Sequence, residues 1–310
     1  MLPDKSFTIG ICCTDETENV SRIVSCIGRE ALPPGISISD LVVVISGCPP
    51  DTASSVIDTK ASFSRTVIAE EKRRGKAHAI NTIIDNMRGA NLLLINGDAL
   101  PEKGDVASLM EDLVTSDCTM MCARPLPASS DSGPLANSLL RFLWSLHNST
   151  METLERCGKR MHLTDEMIAI KGAHVLRLPE ETVNDGAFVS TLAQKNGERV
   201  SFSRRAVVRV SVPRSVHDIA VQRRRILFGH LQVKELLGVL PATAGFTAAN
   251  SPYAGLKIIS NYGRKHPLES LIFPLAVVVE IASLLGALHD RKRKSEIHTV
   301  WRRVENAAWR

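Results

Sequence analysis

The sequence lacks the features that define several protein classes. It has no low-complexity run and no internal repeat, which excludes a disordered or collagen-like chain. Mean hydropathy is near zero (+0.01), and this value excludes a polytopic membrane protein. The first five residues lack the basic start and apolar core of a signal peptide, so we expect no secretion signal.

The cysteines show no pattern typical of a disulfide framework or a zinc site. There are seven, an odd number, and no C-x-x-C pair occurs among them. Neither a disulfide framework nor a zinc site is therefore predicted, and a reducing cytosol is the expected compartment.

Net charge is small, because 38 Lys and Arg residues face 33 Asp and Glu residues, giving +5. This excess predicts no nucleic-acid partner. The basic residues nevertheless concentrate in clusters at 73–76, 222–225 and 291–294. Such clusters are typical of anion contacts or of solvated surface.

The first 124 residues alternate between two patterns. Continuous apolar runs, typical of parallel strands buried on both faces, lie at 7–12, 41–45 and 91–95. Helical segments are predicted at 17–29, 51–60, 75–87 and 104–114. Strand–helix alternation predicts an α/β fold with a parallel sheet, in which ligands bind beyond the carboxyl ends of the strands.

The remaining residues follow a looser pattern. Helices are predicted at 136–157, 185–196 and 215–237, and strands at 166–170, 199–203 and 206–211. Residues 241–255 are rich in Ala, Thr, Gly and Pro and predict a flexible connection. The segment 266–310 contains an 18-residue apolar run, 271–288, with the single charge Glu280, followed by a basic helix. That run is borderline for a membrane span, which needs about 20 apolar residues.

Polar residues follow the predicted strands. Thr14, Asp15 and Glu16 form an acidic turn after the first strand, which disfavours a pyrophosphate there. These side chains either accept hydrogen bonds from a nucleoside or cap the helix that follows. Ser46 lies in the turn after the second strand, where helix capping is again the simplest interpretation.

Two further turns carry stronger chemical signals. Arg73, Gly75 and Lys76 form a cationic loop that leads into a helix, a suitable site for a diphosphate or simply a solvated surface. Asp98 follows the fourth strand, where one carboxylate can hold a divalent cation or form a turn. Asp165 and Glu166 precede a strand, and either line a pocket or cap a turn.

Together these segments resemble family 2 glycosyltransferases with the GT-A fold. Residues 15–20 resemble the family's NEE-x-N-I turn, 73–81 its RRGKAxAxN loop and 96–98 its D-x-D motif. Farther on, Asn184-Asp185 resembles the acidic pair of the acceptor side, and residues 222–226 approximate the Q-x-x-R-W motif. The resemblance covers residues 6–235.

The resemblance implies an architecture. We expect a GT-A (nucleotide-diphospho-sugar transferase) fold, with a mostly parallel central sheet flanked by helices and a C-terminal helical tail. Residues 1–240 would form the catalytic domain, divided into a nucleotide-sugar half (1–124) and an acceptor half (125–240). Residues 241–310 would form the connection and tail.

It also implies site residues. The nucleotide sugar is expected to contact Thr14, Asp15, Glu16, Ser46, Arg73, Gly75, Lys76, Asn96, Gly97 and Asp98. Asp98 is the expected ligand of Mg²⁺ or Mn²⁺, and Asp185 the expected general base. Residues expected on the acceptor and diphosphate side are Asn184, Gln222, Arg224 and Arg225.

The implied reaction is metal-dependent, inverting transfer from a UDP- or GDP-sugar to an acceptor hydroxyl, for which a lipid-linked or cell-envelope glycan is an attractive candidate. Asn96, Asn184 and Ile226 depart from the family motifs, and Ile45-Ser46 stands where many members have an Asp that contacts the base. The missing Trp at 226 argues against a polysaccharide synthase. The lost acidic positions leave open an impaired, nucleotide-sugar-binding or scaffold relative.

The C-terminal tail, 266–310, indicates a location at a membrane. We expect peripheral contact through 266–294 with the cytoplasmic face of the cell membrane, with 291–294 meeting anionic headgroups. A helix buried against the catalytic domain is the alternative.

Overall fold

The computed structural model describes residues 4–14, 16–47, 63–128, 132–293 and 298–300. The helix predicted at 51–60 and the candidate site residue Asp15 lie outside these ranges.

An eight-stranded sheet forms the centre of the described part. Its strands are β1 (Ser6–Cys13), β2 (Ser37–Ser46), β3 (Ser64–Glu70), β4 (Asn91–Asn96), β5 (Ala99–Pro101), β6 (Met120–Pro127), β7 (Met167–Lys171) and β8 (Val200–Val210). Their order is β3-β2-β1-β4-β7-β6-β8-β5. The pairs β3–β2, β2–β1, β1–β4 and β6–β8 are parallel. Strand β7 is antiparallel to β4 and β6, and β5 is antiparallel to β8. The predicted mostly parallel α/β sheet is confirmed.

Helices cover both faces of this sheet. They are α1 (Thr17–Ile27), α2 (Lys76–Asn86), α3 (Asp105–Thr115), α4 (Pro134–Arg156), α5 (Asp185–Lys195), α6 (Val216–Leu237), α7 (Ala244–Asn250), α8 (Pro252–Lys265) and α9 (Phe273–Lys292). One apolar core lies between the sheet and α1 and α3, and a second between the sheet and α2 and α5. Central strands buried on both faces explain why β1, β2 and β4 read as continuous apolar runs.

The two strands predicted at 199–203 and 206–211 are one strand, β8. Its pairing with β6 shifts register between Cys122 and Arg124. At that point the Ser203 hydroxyl accepts hydrogen bonds from the amides of Arg205 and Ala206 (3.1 and 2.8 Å). This local irregularity exposes Arg204 and Arg205 and breaks the alternating pattern, so the sequence suggested two strands.

The flexible connection predicted at 241–255 is wrong, because α7 and α8 occupy most of it. Thr243 and Ser251 cap the two helices by accepting hydrogen bonds from the amides of Phe246 and Ala254. Pro252 stands in the first turn of α8, where its missing N–H is tolerated. The Thr, Ser and Pro residues that suggested a loop are therefore helix-start residues.

Helix α9 packs against α6 through small and short side chains, among them Ala276, Ser283 and Ala287. Arg223 pairs with Glu280 across this contact, and the Arg224 guanidinium donates to Asp290. Within the described residues, one helical segment, Glu269–Lys292, is long enough and apolar enough to cross a membrane by length and composition. Of an apolar 18-residue stretch within it, 22% is buried.

Candidate active site

Parallel strands β1, β2, β3 and β4 bring their carboxyl ends to one edge of the sheet. Ser46, Glu70 and Asn96 are the last residues of β2, β3 and β4. Helices α2 and α5 begin at the same edge, with Lys76 and Asp185 as their first residues. The sequence motifs therefore converge as expected for an open α/β sheet.

Lys76, Asp165 and Asp185 form an acid–base cluster at this edge. The Lys76 ammonium lies 3.0 Å from Asp185 Oδ2 and also pairs with Asp165. Asp185 is 4% exposed. Gly186 permits the close approach of α5 to the segment that carries Asp165, because a Cβ at Gly186 would lie 2.8 Å from the Leu163 carbonyl oxygen.

Burial and charge set the protonation of this cluster. Burial raises the pKa of Asp185, Lys76 opposes that shift, and the Asp165 carboxylate adds to it, so the pKa stays above its usual range. Burial alone would lower the pKa of Lys76, but the two carboxylates raise it and keep the ammonium charged. Burial likewise opposes ionisation of Asp165, yet Lys76 holds its pKa below the usual range.

The turn that carries Asp98 is fixed by backbone contacts. The amide of Gly97 donates to the Cys12 carbonyl (2.8 Å), and the Ser211 amide donates to the Asp98 carbonyl (3.0 Å). The Asn19 side chain donates to the Gly97 carbonyl at 2.6 Å. A Cβ at Gly97 would lie 2.5 Å from that of Cys13, so only glycine fits there.

Glu166 lies beside the same turn. Its carbonyl accepts a hydrogen bond from the Asn96 amide (3.0 Å). Its Oε2 atom is buried and has no hydrogen-bond partner within the described ranges. Burial and the neighbouring Asp165 raise the pKa of Glu166, and Asp98 contributes in the same direction.

A second polar group lies at the ends of β2 and β3. The Ser46 hydroxyl donates to Glu70, whose other oxygen lies 3.0 Å from His78 Nε2. The Arg73 side chain packs beside Gly47, where an added Cβ would meet it at 2.5 Å. Gly75 is the N-cap residue of α2 and has φ +98°, a conformation that favours glycine.

Of the acidic turn after β1, the structure describes Thr14 and Glu16, and Thr14 does not stand at the capping position of α1. Glu16 occupies the capping position and makes no side-chain capping bond. Its carboxylate instead accepts from the amide and hydroxyl of Thr14 (2.8 and 3.0 Å). Asn184, by contrast, is a helix cap, because its side-chain oxygen accepts from the Ala187 amide.

The basic residues of α6 lie in different surroundings. Arg225 interacts electrostatically with Asp165, Asp185 and Asp98, and burial lowers the pKa of its guanidinium. Gln222 lies one turn earlier on the same face of α6. Arg224 instead binds Asp290 of α9. The structure thus places Arg224 at a helix–helix contact, which corrects its expected place on the acceptor and diphosphate side.

Sequence reasoning did not assign three residues that the structure puts here. Asn19 was read only as part of a motif, although it fixes the Asp98 turn. Glu70 lies in the charged stretch 70–76, and the sequence gives it no separate role. For Glu166 the sequence does not distinguish between lining a pocket and capping a turn. A polar residue on the buried face of an amphipathic helix, such as Asn19, was the available signal.

The structure brings a cationic loop at a helix N-terminus and a buried carboxylate to one sheet edge, the arrangement that the resemblance to nucleotide-diphospho-sugar transferases implies. The family model of glycosyl transferase family 2 matches residues 9–174, and the chain belongs to this family. The predicted membership is confirmed, and it supports a glycosyltransferase.

Solved structures agree on the fold. The mannosyltransferase PcManGT from Pyrobaculum calidifontis, in complex with GDP-Man and Mn²⁺, is 17% identical, with 93% of this chain and 87% of that chain covered and a TM-score of 0.63. Glucosyl-3-phosphoglycerate synthase from Mycobacterium tuberculosis, in complex with Mn²⁺, UDP and phosphoglyceric acid, is 14% identical over 77% and 81%, with a TM-score of 0.50. The chain has no significant match among curated protein sequences. The likeness shows the GT-A fold.

Proposed function

We propose that the chain transfers a sugar from a nucleoside diphosphate sugar to an acceptor hydroxyl, with inversion at the anomeric carbon. The observation that carries this proposal is the buried Asp185 carboxylate, 3.0 Å from the Lys76 ammonium. It lies on the sheet edge that also carries the Asp98 turn and the N-terminus of α2.

Asp185 is the proposed general base. It would accept the proton of the acceptor hydroxyl as that oxygen attacks the anomeric carbon, in one displacement that inverts the configuration. Lys76 favours the ionised form of this carboxylate, and Asp165 pairs with Lys76. A base of this kind is worth about 10²–10⁴-fold in rate.

The Asp98 turn is the proposed place for a divalent cation. Asp98 is half-buried, and the unpartnered Oε2 of Glu166 lies beside the same turn. No group of three or more His, Cys, Asp or Glu residues suited to a metal occurs in the described part of the chain. The carboxylates of Asp98 and Glu166 are a donor set that fits Mg²⁺ or Mn²⁺, because these ions take one or two carboxylates and the oxygens of phosphate and water. When bound, such a cation neutralises charge on the leaving diphosphate.

The diphosphate itself would bind the loop before α2. Arg73 would supply charge, Gly75 has no Cβ to block a close approach, and the first amides of α2 would donate to an anion. Ser46 and Glu70 stand at the adjacent strand ends, where we place the nucleoside. PcManGT binds GDP-Man and the M. tuberculosis synthase binds UDP, and both nucleotides are candidates for this chain.

A panel of UDP-, GDP- and TDP-sugars with Mn²⁺ tests the proposal. A donor at a hundred times its Kd should stabilise the fold by about 2.7 kcal/mol, read as a rise in Tm. The stabilising donor should also be hydrolysed slowly or transferred. Stabilisation without any turnover would indicate the binding or scaffold relative, and no stabilisation by any donor would refute the proposal.

Replacing Asp98 by Ala should remove the metal-stimulated part of donor affinity, because the proposed cation loses its carboxylate ligand. Calorimetric titration of the donor with and without Mn²⁺ measures this directly. Asp117→Ala is the matched control, since that carboxylate is exposed and pairs with Arg199. Persistence of Mn²⁺-stimulated binding in Asp98→Ala would place the metal elsewhere.

We further propose that α9 lies on the cytoplasmic face of the cell membrane. One face of α9 packs on α6, while Val278, Ile281 and Leu285 are more than half exposed on the other. Exposed apolar residues next to Lys292 and Arg293 suit an interfacial helix better than a full span. Arg291 is less available to headgroups, because it pairs with Glu235.

Changing Val278, Ile281 and Leu285 together to Ser should weaken vesicle binding on the order of 100-fold, because three apolar side chains leave the interface. Flotation of the full chain with anionic vesicles measures the effect. A control with Leu135, Val175 and Leu236 changed to Ser removes equally exposed apolar residues outside α9. Equal flotation of both variants and the parent chain would contradict the interfacial helix.

A further inference from the structure

A groove of about 650 Å³ lies between the end of β6, α4 and the end of α8. We call it the acceptor-side groove. Its walls include Arg124 at the end of β6, Arg141 and Trp144 on α4, and Lys265 and His266 at the end of α8. None of these residues belongs to the donor loop or to the acid–base cluster.

The groove carries an excess of positive charge. Arg124, Arg141 and Lys265 form no ion pair within the ranges that the structure describes. The other charged side chains of the wall are engaged: Arg209 with Glu102, Glu152 with Arg156, and His266 with Glu269. Three cations without carboxylate partners therefore face one concave surface.

The Arg124 side chain on the groove wall also has one polar atom without a partner in the described part of the chain. Its Nε atom is buried and has no hydrogen-bond partner among the described residues. A buried guanidinium N–H without an acceptor is unfavourable, and an anionic oxygen is the acceptor that it binds best. Trp144 and Asn148 lie beside it and offer a ring face and an amide.

The groove lies close to the proposed transfer site. Pro127 and Ala128 form part of its wall, and both pair with Val210 of β8. Val210 is in turn paired with Ala99, the residue after Asp98. Two strand spacings separate Pro127 from Ala99, or about 10 Å, which is the length of one or two sugar units.

We propose that the acceptor-side groove binds a phosphate group of the acceptor, so that the acceptor substrate is a phosphate-bearing molecule. This inference rests on the proposed transferase function, because it assigns the acceptor of that reaction. Leu268 and Leu271, close in sequence to the wall residues His266 and Glu269, are 82% and 79% exposed. The phosphate can thus belong to a lipid headgroup or to a soluble ester, and both present the same oxygens to the cations.

Calorimetry with sn-glycerol 3-phosphate, and with glycerol as the uncharged probe, tests the soluble source on the full chain. The double variant Arg141→Gln, Lys265→Gln should weaken phosphate binding about 100-fold, since each lost charge-assisted hydrogen bond is worth about tenfold or more. Both residues are exposed, so folding should survive. The double control Lys257→Gln, Arg264→Gln makes the same charge change on α8 away from the groove.

Vesicles of phosphatidylcholine with 10 mol% phosphatidate, compared with phosphatidylcholine alone, test the lipid source. Groove-dependent binding of either probe supports the proposal and identifies the source. If Arg73→Gln abolishes phosphate binding and the groove variant does not, the phosphate occupies the donor loop and the inference is overturned. Equal affinity of parent chain and groove variant for both probes also overturns it.

Titration with the nucleotide sugar separates the two proposals. Donor binding that is intact in the groove variant, together with loss of phosphate binding, supports both. Donor binding without any phosphate binding to the groove overturns only the acceptor assignment. Failure of every donor in the parent chain overturns the transferase, whatever the phosphate probes do.

Discussion

Replacing Asp185 by Asn is expected to lower the rate of sugar transfer by about 10²–10⁴-fold, the usual worth of a positioned general base. Asn has the shape of Asp but does not accept the proton of the acceptor hydroxyl. Donor affinity should stay within about twofold, because the diphosphate would bind the loop before α2 and the Asp98 turn. Calorimetry beside a transfer assay separates the two effects, and full activity of the variant would remove Asp185 from the mechanism.

The pH profile gives the same experiment a second readout. Burial holds the pKa of Asp185 above its usual range, so the rate should fall as pH drops through this raised pKa. Asp165→Asn removes a neighbouring negative charge that helps to raise it. The acidic limb of the profile should then move to lower pH while turnover is retained. Loss of turnover in Asp165→Asn with activity in Asp185→Asn would exchange their roles.

The part of this site that could be predicted from the sequence is the part coded by short patterns. Buried apolar runs indicated β1, β2 and β4, and parallel strands bring whatever follows them to one edge. This placed Ser46, Lys76 and Asp98 near each other. The pairing of Lys76 with Asp165 and Asp185 joins distant parts of the chain, and no local pattern encodes it.

The three consecutive arginines of α6 show why the rest could not be predicted. Successive residues of an α-helix point about 100° apart, so neighbours in sequence face different surroundings. Arg223 meets Glu280, Arg224 meets Asp290 and Arg225 faces the carboxylates of the site. Choosing among them requires the position of α9, and its packing against α6 is a tertiary property.

The antiparallel strand β7 is a similar case. Met167–Lys171 is short and apolar, and such a run has the same appearance in either direction. Its insertion between β4 and β6 carries Asp165 and Glu166 to the strand ends that hold Asn96. The direction of one strand thus decides whether this acidic pair caps a turn or belongs to the site.

Replacing Lys76 by Met is expected to destabilise the fold by about 3 kcal/mol at neutral pH, at the lower end for a broken buried ion pair because Asp165 is partly exposed. The change leaves two carboxylates facing each other without the ammonium that pairs with both of them. Thermal unfolding measures the loss, which corresponds to roughly 5 °C in Tm for a chain of 310 residues. Lys195→Met, an exposed lysine at the other end of α5, is the control.

The sign of the pH dependence makes this prediction specific. Without Lys76, the folded-state pKa of Asp165 should rise above its unfolded value, and that of Asp185, already raised, should rise further. Stability is then retained below the unfolded pKa, near 4, and lost as pH rises through the raised folded values. The deficit should shrink in acid, and the double variant Lys76→Met, Asp165→Asn should recover part of it at neutral pH. A deficit that is independent of pH would mean that Lys76 stabilises the fold by packing alone, and the proposed electrostatic support of Asp185 would be lost with it.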